Sequence, residues 1–277
     1  MHRTVTRTLR WFGLLETGRE LELQWRMRRP HALPDAMIIG AMKCGTSSLH
    51  NYLTQHPGVI DPLRKEVHYF DVNYERGEAW YRAHFGRREQ SGLNLDSSPY
   101  YLRHPLAAAR AQALVPRARL IVLLRDPVRR SYSHYWHQVH KGREKLSFED
   151  AIAAEPGRID ADAARLARGE IARSLAHQQF SYLARSRYAE QIEAWLECYP
   201  RDQLAVWRFE DLAADPLGTL NQVLGWLGLP AMARARLDAR NTRAYPPMSS
   251  GTAARLREYF APHNAALAAL LGRDMGW

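Results

Sequence analysis

Residues 37–49 read MIIGAMKCGTSSL, an apolar run followed by a glycine-flanked loop and the start of a helical pattern. A loop that joins a strand to a helix directs backbone N–H groups and the helix N-terminus toward an anion. Gly40 and Gly45 keep the spacing of a nucleotide-binding P-loop, but Thr46 follows the second glycine and Lys43 lies inside the loop. The stretch therefore predicts a P-loop-like phosphate site. The alternative is a glycine-rich turn with an unrelated lysine.

A second stretch, RLIVLLRDPVRRSYSHYW at residues 119–136, combines an apolar strand with the helix that follows it. Asp126 is a good N-cap and Pro127 suits the first helical position, so Arg125 leaves the carboxyl end of the strand. Open α/β sheets bind ligands at that end. Arg125 and Ser133, eight residues later, could therefore contact one phosphate. The alternative is a capped helix whose arginine pairs with a nearby acid.

The rest of the chain alternates apolar runs with helical patterns, which predicts an α/β fold. We expect one domain with a parallel sheet flanked by helices on both faces. The segment from about Ser147 to Arg173 is helical or loop-like, with a break at Glu155-Pro156-Gly157. Strands are predicted at Ala36–Gly40, Leu93–Asp96, Leu120–Leu124 and Leu204–Phe209, and helices at Thr46–Gln55, Glu78–His84, Leu106–Val115, Pro127–His140, Tyr182–Tyr199, Leu217–Leu227 and Thr252–Leu271.

The composition is that of a folded basic protein. The 277 residues are 46% hydrophobic and 10% aromatic, which is enough to form a core. Lys and Arg number 39 against 29 Asp and Glu, a formal charge of +10 that favours anionic partners. The alternative is a solvated arginine-rich surface, because the arginines form no dense block.

The cysteines and the N-terminus give expectations about location. Cys44 and Cys198 are too few for a disulfide framework, and no Cys/His spacing suggests a metal site, so we expect a reduced, cytoplasmic setting. No apolar run approaches the about 18 residues of a transmembrane helix. Residues 1–35 begin basic but lack a secretory signal, and we interpret them as a basic amphipathic arm or helix that precedes a domain at 36–277.

The loop GAMKCGTSSL and the strand and helix LIVLLRDPVRRSYSHY, in this order and spacing, resemble the two cofactor motifs of the sulfotransferases that use 3′-phosphoadenosine 5′-phosphosulfate (PAPS). The resemblance extends from about Ala36 to Trp277 and is closest to the branch with heparan sulfate N- and O-sulfotransferases. Further similar segments are KEVHYFD at 65–71, GEAWYRAHF at 77–85, SSPYYL at 97–102, SRYAEQIEAWL at 186–196 and LREYFAPHNAALAALLGRDMGW at 256–277.

This resemblance implies a cofactor site. The first motif would bind the 5′-phosphosulfate, and Arg125 and Ser133 of the second would bind the 3′-phosphate. Tyr188 matches a family tyrosine near the cofactor, although packing with Trp195 explains it equally, and Arg243 matches one residue of a loop that closes over the cofactor. The residues of the first motif are Lys43, Cys44, Gly45, Thr46, Ser47 and Ser48.

The resemblance also implies the catalytic residues. Lys43 would stabilise the charge that builds on the leaving phosphate, so no metal is required. Glu66 matches the catalytic base of the heparan sulfate branch and His68 a neighbouring active-site histidine. A glutamate near the cavity can act as a base if burial raises its pKa. Without the resemblance, Glu66 would be interpreted as a surface carboxylate beside Lys65.

The acceptor is less defined. The heparan sulfate enzymes carry a lysine where this chain has Ser97, and they have a disulfide-closed hairpin for which no cysteine pair exists here. We therefore expect a glycan, a glycolipid or a small hydroxylated or amino metabolite, and no nucleic acid. Two rival functions are a P-loop kinase or NTPase, against which the displaced lysine argues, and a non-catalytic polyanion-binding protein.

Overall fold

The computed structural model describes residues 18, 20–87, 89–238 and 244–277. Its centre is a five-stranded parallel sheet of order β2-β3-β1-β4-β5. The strands are β1 (Ala36–Gly40), β2 (Val59–Ile60), β3 (Leu93–Ser97), β4 (Arg119–Leu124) and β5 (Leu204–Arg208).

Strands β1 and β4 form the middle of the sheet and are apolar along their length. All five residues of β1 and the last five of β4 are buried, so the sheet is covered on both faces. Such continuous apolar runs are typical of parallel strands between two layers of helices. The predicted α/β fold is confirmed, and the four predicted strands are present. Strand β2 was not predicted, because its two residues carry no periodic pattern.

The predicted helices are present in the predicted order; Pro127–His140 has its predicted bounds, and the others have shifted ends. The structure has α1 (20–26), α2 (Thr46–Leu53), α3 (Glu78–Arg82), α4 (Ala107–Leu114), α5 (Pro127–His140), α6 (Phe148–Ala153), α7 (Glu155–Ala167), α8 (Leu175–Phe180), α9 (Tyr188–Leu196), α10 (Phe209–Ala214), α11 (Pro216–Trp226) and α12 (Ser250–Leu271).

Helix α9 begins six residues later than predicted, and a buried carboxylate explains the difference. Both oxygens of Glu155 accept backbone hydrogen bonds, from Leu183 N at 2.7 Å and Ala184 N at 2.8 Å. These bonds hold the chain in a short 3-10 turn before Tyr188. Glu155 also opens α7, so the predicted break at Glu155-Pro156-Gly157 is the boundary between α6 and α7.

Two apolar clusters stabilise the fold. The larger one surrounds the sheet, and the smaller one joins α5 to α6 and α12 through Tyr135, Phe148 and Phe260. Among the described helices, none is long and apolar enough to cross a membrane.

Candidate active site

A cavity of about 590 Å³ lies where four strands of the sheet end. Its wall contains residues that follow β1, β3, β4 and β5, which is the edge where open α/β sheets bind ligands. Helix α5 and the segment around α8 complete it. The residues that line the cavity include Met42, Lys43, Gly45, Thr46, Ser47, Ser48, Glu66, His68, Tyr100, Arg125, Ser133, His137, Gln138, Lys141, Arg143, Gln178, Gln179, Arg185, Phe209 and Tyr245.

The loop between β1 and α2 adopts a constrained backbone. Lys43 has a φ of 74° and Gly45 a φ of 85°, both in the left-handed region that lysine seldom adopts. A Cβ atom at Gly45 would lie 2.8 Å from the Phe209 ring, so only glycine fits there. Such backbone strain is frequent at ligand sites. The loop thus brings Lys43 and the start of α2 to the same cavity wall.

The environment of Lys43 is unfavourable to a positive charge. Burial lowers its pKa to about 8, and the nearby guanidinium groups of Arg125 and Arg130 act in the same direction. An anion bound beside Lys43 would reverse this effect, because it stabilises the ammonium form. The environment of Lys43 therefore favours binding of a negatively charged ligand.

Arg125 and Ser133 line the same cavity, as expected from the second motif. Asp126 caps α5 by accepting bonds from Val128 N at 2.8 Å and Arg129 N at 3.3 Å. The Arg125 guanidinium lies 4.8 Å from the centre of the Phe209 ring and donates to the Lys43 carbonyl at 3.4 Å. Among the described residues, no carboxylate forms an ion pair with it. The alternative of an arginine paired with an acid is not observed there.

Glu66 and His68 form a chain with a third residue, Asp71, that was not predicted. Nε2 of His68 is 2.9 Å from Oε2 of Glu66, and Nδ1 is 2.8 Å from Oδ2 of Asp71. Burial lowers the pKa of His68, but the charge and hydrogen bond of Asp71, together with Glu66, outweigh it and raise the pKa to about 10. The ring is therefore a cation near neutral pH and donates to both carboxylates.

The pKa of Glu66 differs from the expectation. Burial acts to raise it, but the hydrogen bond and charge of His68 outweigh burial, with a smaller contribution from Lys65, and the pKa is lowered. The condition named from the sequence, a Glu66 pKa raised by burial, is therefore not met. The Glu66 carboxylate stays ionised. About a third of the Glu66 side chain, 34%, is exposed, and Glu66 lines the cavity. Lys65 joins this group to the loop, since its Nζ donates to Ser47 Oγ at 2.9 Å.

A buried network below the cavity holds His68 in place. His68 N donates to Ser98 Oγ at 3.0 Å, and Ser98 Oγ donates to Asp96 Oδ1 at 3.0 Å. The other Asp96 oxygen accepts the hydroxyl groups of Tyr81 and Tyr101, each at 2.9 Å. The segment SSPYYL thus supports the candidate catalytic residues from beneath.

Two fully buried arginines lie close to the cavity and were not predicted as site residues. Arg185 lines it, donating to Gln178 O at 3.0 Å, and its Nε has no hydrogen-bond partner within the described part of the chain. Burial lowers the pKa of Arg185 to about 9, helped by Arg130. Arg130 Nε donates to Ser186 Oγ at 2.6 Å, while its Nη1 is likewise without a partner among those residues. Buried guanidinium groups without a carboxylate fit an anionic ligand.

Two further predicted residues, Cys44 and Tyr188, are not part of the cavity lining. Cys44 is buried in the core, with its Sγ 3.9 Å from the Tyr188 hydroxyl. Tyr188 is not part of the cavity wall. Its hydroxyl donates to the Arg125 carbonyl at 2.8 Å, and its ring neighbours Trp277, whereas Trp195 pairs with Tyr199. Arg243 lies outside the described residues.

The part of the cavity that is lined by the end of α5 and by α8 offers mainly polar side chains. On α5, His137 and Gln138 line the cavity, whereas His134 is fully buried and does not line it. The other polar residues there are Lys141, Arg143, Gln178, Gln179 and Tyr245. Across residues 18, 20–87, 89–238 and 244–277, no group of three or more His, Cys, Asp or Glu side chains is arranged to hold a metal ion.

Comparison with known proteins adds an independent observation. A family model described as "Sulfotransferase domain" matches residues 33–262. The membrane-associated sulfotransferase kil1 of Dictyostelium discoideum is 28% identical, with 88% of this chain and 66% of that protein covered. The heparan sulfate glucosamine 3-O-sulfotransferase 3A1 of Mus musculus is 30% identical, with 88% and 64% covered. This chain thus spans just under two thirds of their length.

A solved structure shares the fold. The sulfotransferase from Alicyclobacillus acidocaldarius superposes with a TM-score of 0.72 at 31% sequence identity, covering 88% of this chain and 98% of that chain.

Proposed function

The chain belongs to the sulfotransferase family, and we propose that it transfers a sulfuryl group from PAPS to a hydroxyl or amine of an acceptor. The observation that carries this proposal is the convergence of two motifs on one cavity. Lys43 and the start of α2 form one wall, Arg125 and Ser133 another, and Glu66 faces the same space.

The cavity residues fit a ligand with two separate phosphate groups. Lys43 and the first residues of α2 would hold the 5′-phosphosulfate, because a helix N-terminus and a cation both favour anions. Arg125 and Ser133 would hold the 3′-phosphate. The lowered pKa of Lys43, caused by burial, and two buried arginines that form no ion pair with a carboxylate of the described residues support an anionic occupant.

Bound PAPS supplies the sulfuryl group and a phosphate leaving group. Lys43 stabilises the negative charge that develops on the leaving phosphate, which is the type of preorganised electrostatic contribution that dominates in many enzymes. The ionised Glu66 accepts the acceptor's proton as its oxygen or nitrogen attacks. His68 holds Glu66 in position through the 2.9 Å contact, and its positive charge keeps the carboxylate ionised.

The acceptor proposal rests on the part of the cavity that is lined by the end of α5 and by α8. Gln138, Gln178 and Gln179 offer amide groups, and Lys141 adds a charge, a combination that suits a hydroxyl-rich molecule. We favour a glycan, then a glycolipid, then a small metabolite. A screen with labelled sulfate donor against these three classes tests the order. A cytoplasmic location stays a prediction, testable by cell fractionation.

Thermal shift with adenosine 3′,5′-bisphosphate, ATP and AMP tests the proposed cofactor. The bisphosphate at a hundred times its dissociation constant should stabilise the protein by about 2.7 kcal/mol, and more than ATP or AMP at equal concentration. Magnesium-dependent ATP turnover without bisphosphate binding would instead support the kinase or NTPase. Steeply salt-dependent binding of polyanions without any turnover would support the binding protein.

A further inference from the structure

The N-terminal helix exposes large apolar side chains to solvent. Leu21 is 61% exposed and Trp25 is 53% exposed, and Met27 directly after α1 is also exposed. The described residues include seven exposed large hydrophobic side chains. Three of the seven are these, and they fall within seven consecutive positions. Such clustering marks an interaction surface.

The outward position of these side chains is fixed by contacts on the other side of the helix. Leu23 is 4% exposed and belongs to the main core. Arg26 donates from Nε to the Ala83 carbonyl at 2.6 Å and also bonds the Phe85 carbonyl. Because α1 is attached to the domain through Leu23 and Arg26, rotation cannot bury Leu21 and Trp25.

Leu21, Trp25 and Arg29 form a mixed apolar and basic face, with the exposed Arg28 next to it in the chain; we call this the Leu21–Trp25 face. Leu21 and Trp25 are four residues apart and so lie on one side of α1. The Arg29 guanidinium lies 3.9 Å from the centre of the Trp25 ring. Arg28 and Arg29 form no ion pair within the described residues.

Neighbouring acids do not cancel this charge. Glu22 is 3.7 Å from Arg26, and Glu20 is 3.6 Å from Arg76, so each already has a basic partner. Residues 1–17 contain three arginines and one acid, and the whole chain carries a net charge of +10. The charge of this end of the protein is therefore complementary to an anionic surface.

We propose that the Leu21–Trp25 face binds the surface of an anionic lipid bilayer, lying in the interface without crossing it. Tryptophan is favoured at the level of lipid head groups, and arginine beside it binds anionic lipids. An amphipathic helix with a basic polar side binds membranes through buried apolar area plus this attraction. An anionic bilayer offers an apolar interior to Leu21 and Trp25 and anionic head groups to the arginines beside them.

Vesicle co-sedimentation of the full 277-residue chain tests the proposal. The protein should sediment with mixed phosphatidylcholine and phosphatidylserine vesicles, and at least about tenfold less with phosphatidylcholine alone. Trp25→Glu combined with Leu21→Glu should reduce binding to the mixed vesicles by about tenfold or more. Arg28→Gln with Arg29→Gln should remove most of the preference for phosphatidylserine.

Leu146→Glu is the matched control, since Leu146 is also exposed but lies far along the chain from α1. It should leave vesicle binding unchanged. Thermal stability within the wild-type range would show that each variant is folded. Equal sedimentation of the Leu21/Trp25 variant and the wild type would overturn the proposal. So would a stable dimer in light scattering that only the Leu21/Trp25 variant dissociates, because the face would then bind a second copy.

Discussion

The position of Lys43 in its loop gives the most direct prediction at the scale of single residues. Lys43→Ala should lower kcat at least about a hundredfold, because removing one preorganised donor elsewhere costs about 2.7–4 kcal/mol. The measurement is turnover of PAPS with an acceptor from the labelled-sulfate screen. Lys145→Ala, at an exposed lysine outside the cavity, is the control. Near-normal turnover in Lys43→Ala would contradict the assigned role.

The lowered pKa of Lys43 predicts a pH dependence of ligand binding. In the free protein, burial lowers the pKa to about 8, so the ammonium loses its proton as pH rises through 8. A bound phosphate favours the charged form. Affinity for adenosine 3′,5′-bisphosphate should therefore fall above pH 8, by up to about tenfold per pH unit, with proton uptake on binding.

Calorimetry in two buffers of different ionisation enthalpy measures this uptake. Lys43→Met should bind more weakly and take up fewer protons than the wild type at pH 8.5, about half a unit above the Lys43 pKa of about 8. Identical uptake in the variant would assign the proton to another group.

The hydrogen-bonded residues Glu66, His68 and Asp71 predict how the pH profile of kcat/KM changes when each of them is substituted. Glu66→Gln should abolish the acidic limb and lower activity about 10²–10⁴-fold, as expected for loss of a general base. His68→Ala should weaken activity without removing the limb. Asp71→Asn removes the group that contributes most to raising the pKa of His68, so the pKa of His68 falls; His68 then offsets burial less at Glu66, and the pKa of Glu66 rises. The acidic limb should then move to higher pH.

The control for this series is Asp160→Asn, an exposed carboxylate outside the cavity, which should leave the limb in place. Asp71 contacts His68 and not the cavity, so it is a positioning residue. An unshifted limb in Asp71→Asn, with activity merely reduced, would indicate a structural role alone.

At the scale of elements, the N-cap of α5 links stability to cofactor binding. Asp126→Ala should cost about 1 kcal/mol of unfolding free energy, because two backbone N–H groups lose their acceptor. It should also weaken binding of adenosine 3′,5′-bisphosphate, since Arg125 directly precedes this cap and Ser133 lies on the helix that the cap begins.

Asp215 offers a matched control, because it caps α11 through Gly218 N and is also followed by proline. Asp215→Ala should destabilise by a similar amount, about 1 kcal/mol, with unchanged affinity. Urea unfolding and calorimetry measure the two quantities. Equal loss of affinity in both variants would mean that general stability, and not the cap of α5, governs binding.

Elements with strong local signals were predictable from sequence. Strands β1 and β4 are uninterrupted apolar runs, and α5 was predicted with its observed bounds, because Asp126 and Pro127 mark its start. Strand β2 was missed, since two residues are too few to show a period. The start of α9 depends on Glu155, a contact 28 or more residues away that local patterns cannot contain.

The site shows the same difference between residues that a local motif identifies and residues that only contacts between distant parts of the chain identify. The loop of Lys43 and the strand end at Arg125 are local motifs, and both line the cavity. Arg130 and Arg185 are only two of many arginines in the sequence, and burial by the tertiary structure distinguishes them. Asp71 lay within the quoted segment KEVHYFD, but its role depends on the 2.8 Å contact with His68.

At the scale of the whole molecule, the order of strands assembles the site. After β1 the chain forms β2 and β3 on one side and then returns to add β4 and β5 on the other. All strands are parallel, so the residues after β1, β3, β4 and β5 meet at one edge. Residues from distant parts of the sequence thereby surround a single cavity, whose lining has more basic than acidic side chains.

This assembly indicates which groups would supply the positive charge that the proposed sulfuryl transfer needs. P-loop NTPases use a bound magnesium ion together with the lysine after the second glycine. Here that position is Thr46, whereas Lys43, Arg125 and Arg185 contribute positive charge to the cavity wall. Turnover of PAPS with its acceptor should therefore be unchanged when EDTA replaces magnesium. Loss of turnover in EDTA, restored by magnesium, would contradict the assignment of the leaving-group charge to Lys43 and its neighbours. ATP hydrolysis in that restored sample would identify the protein as an NTPase.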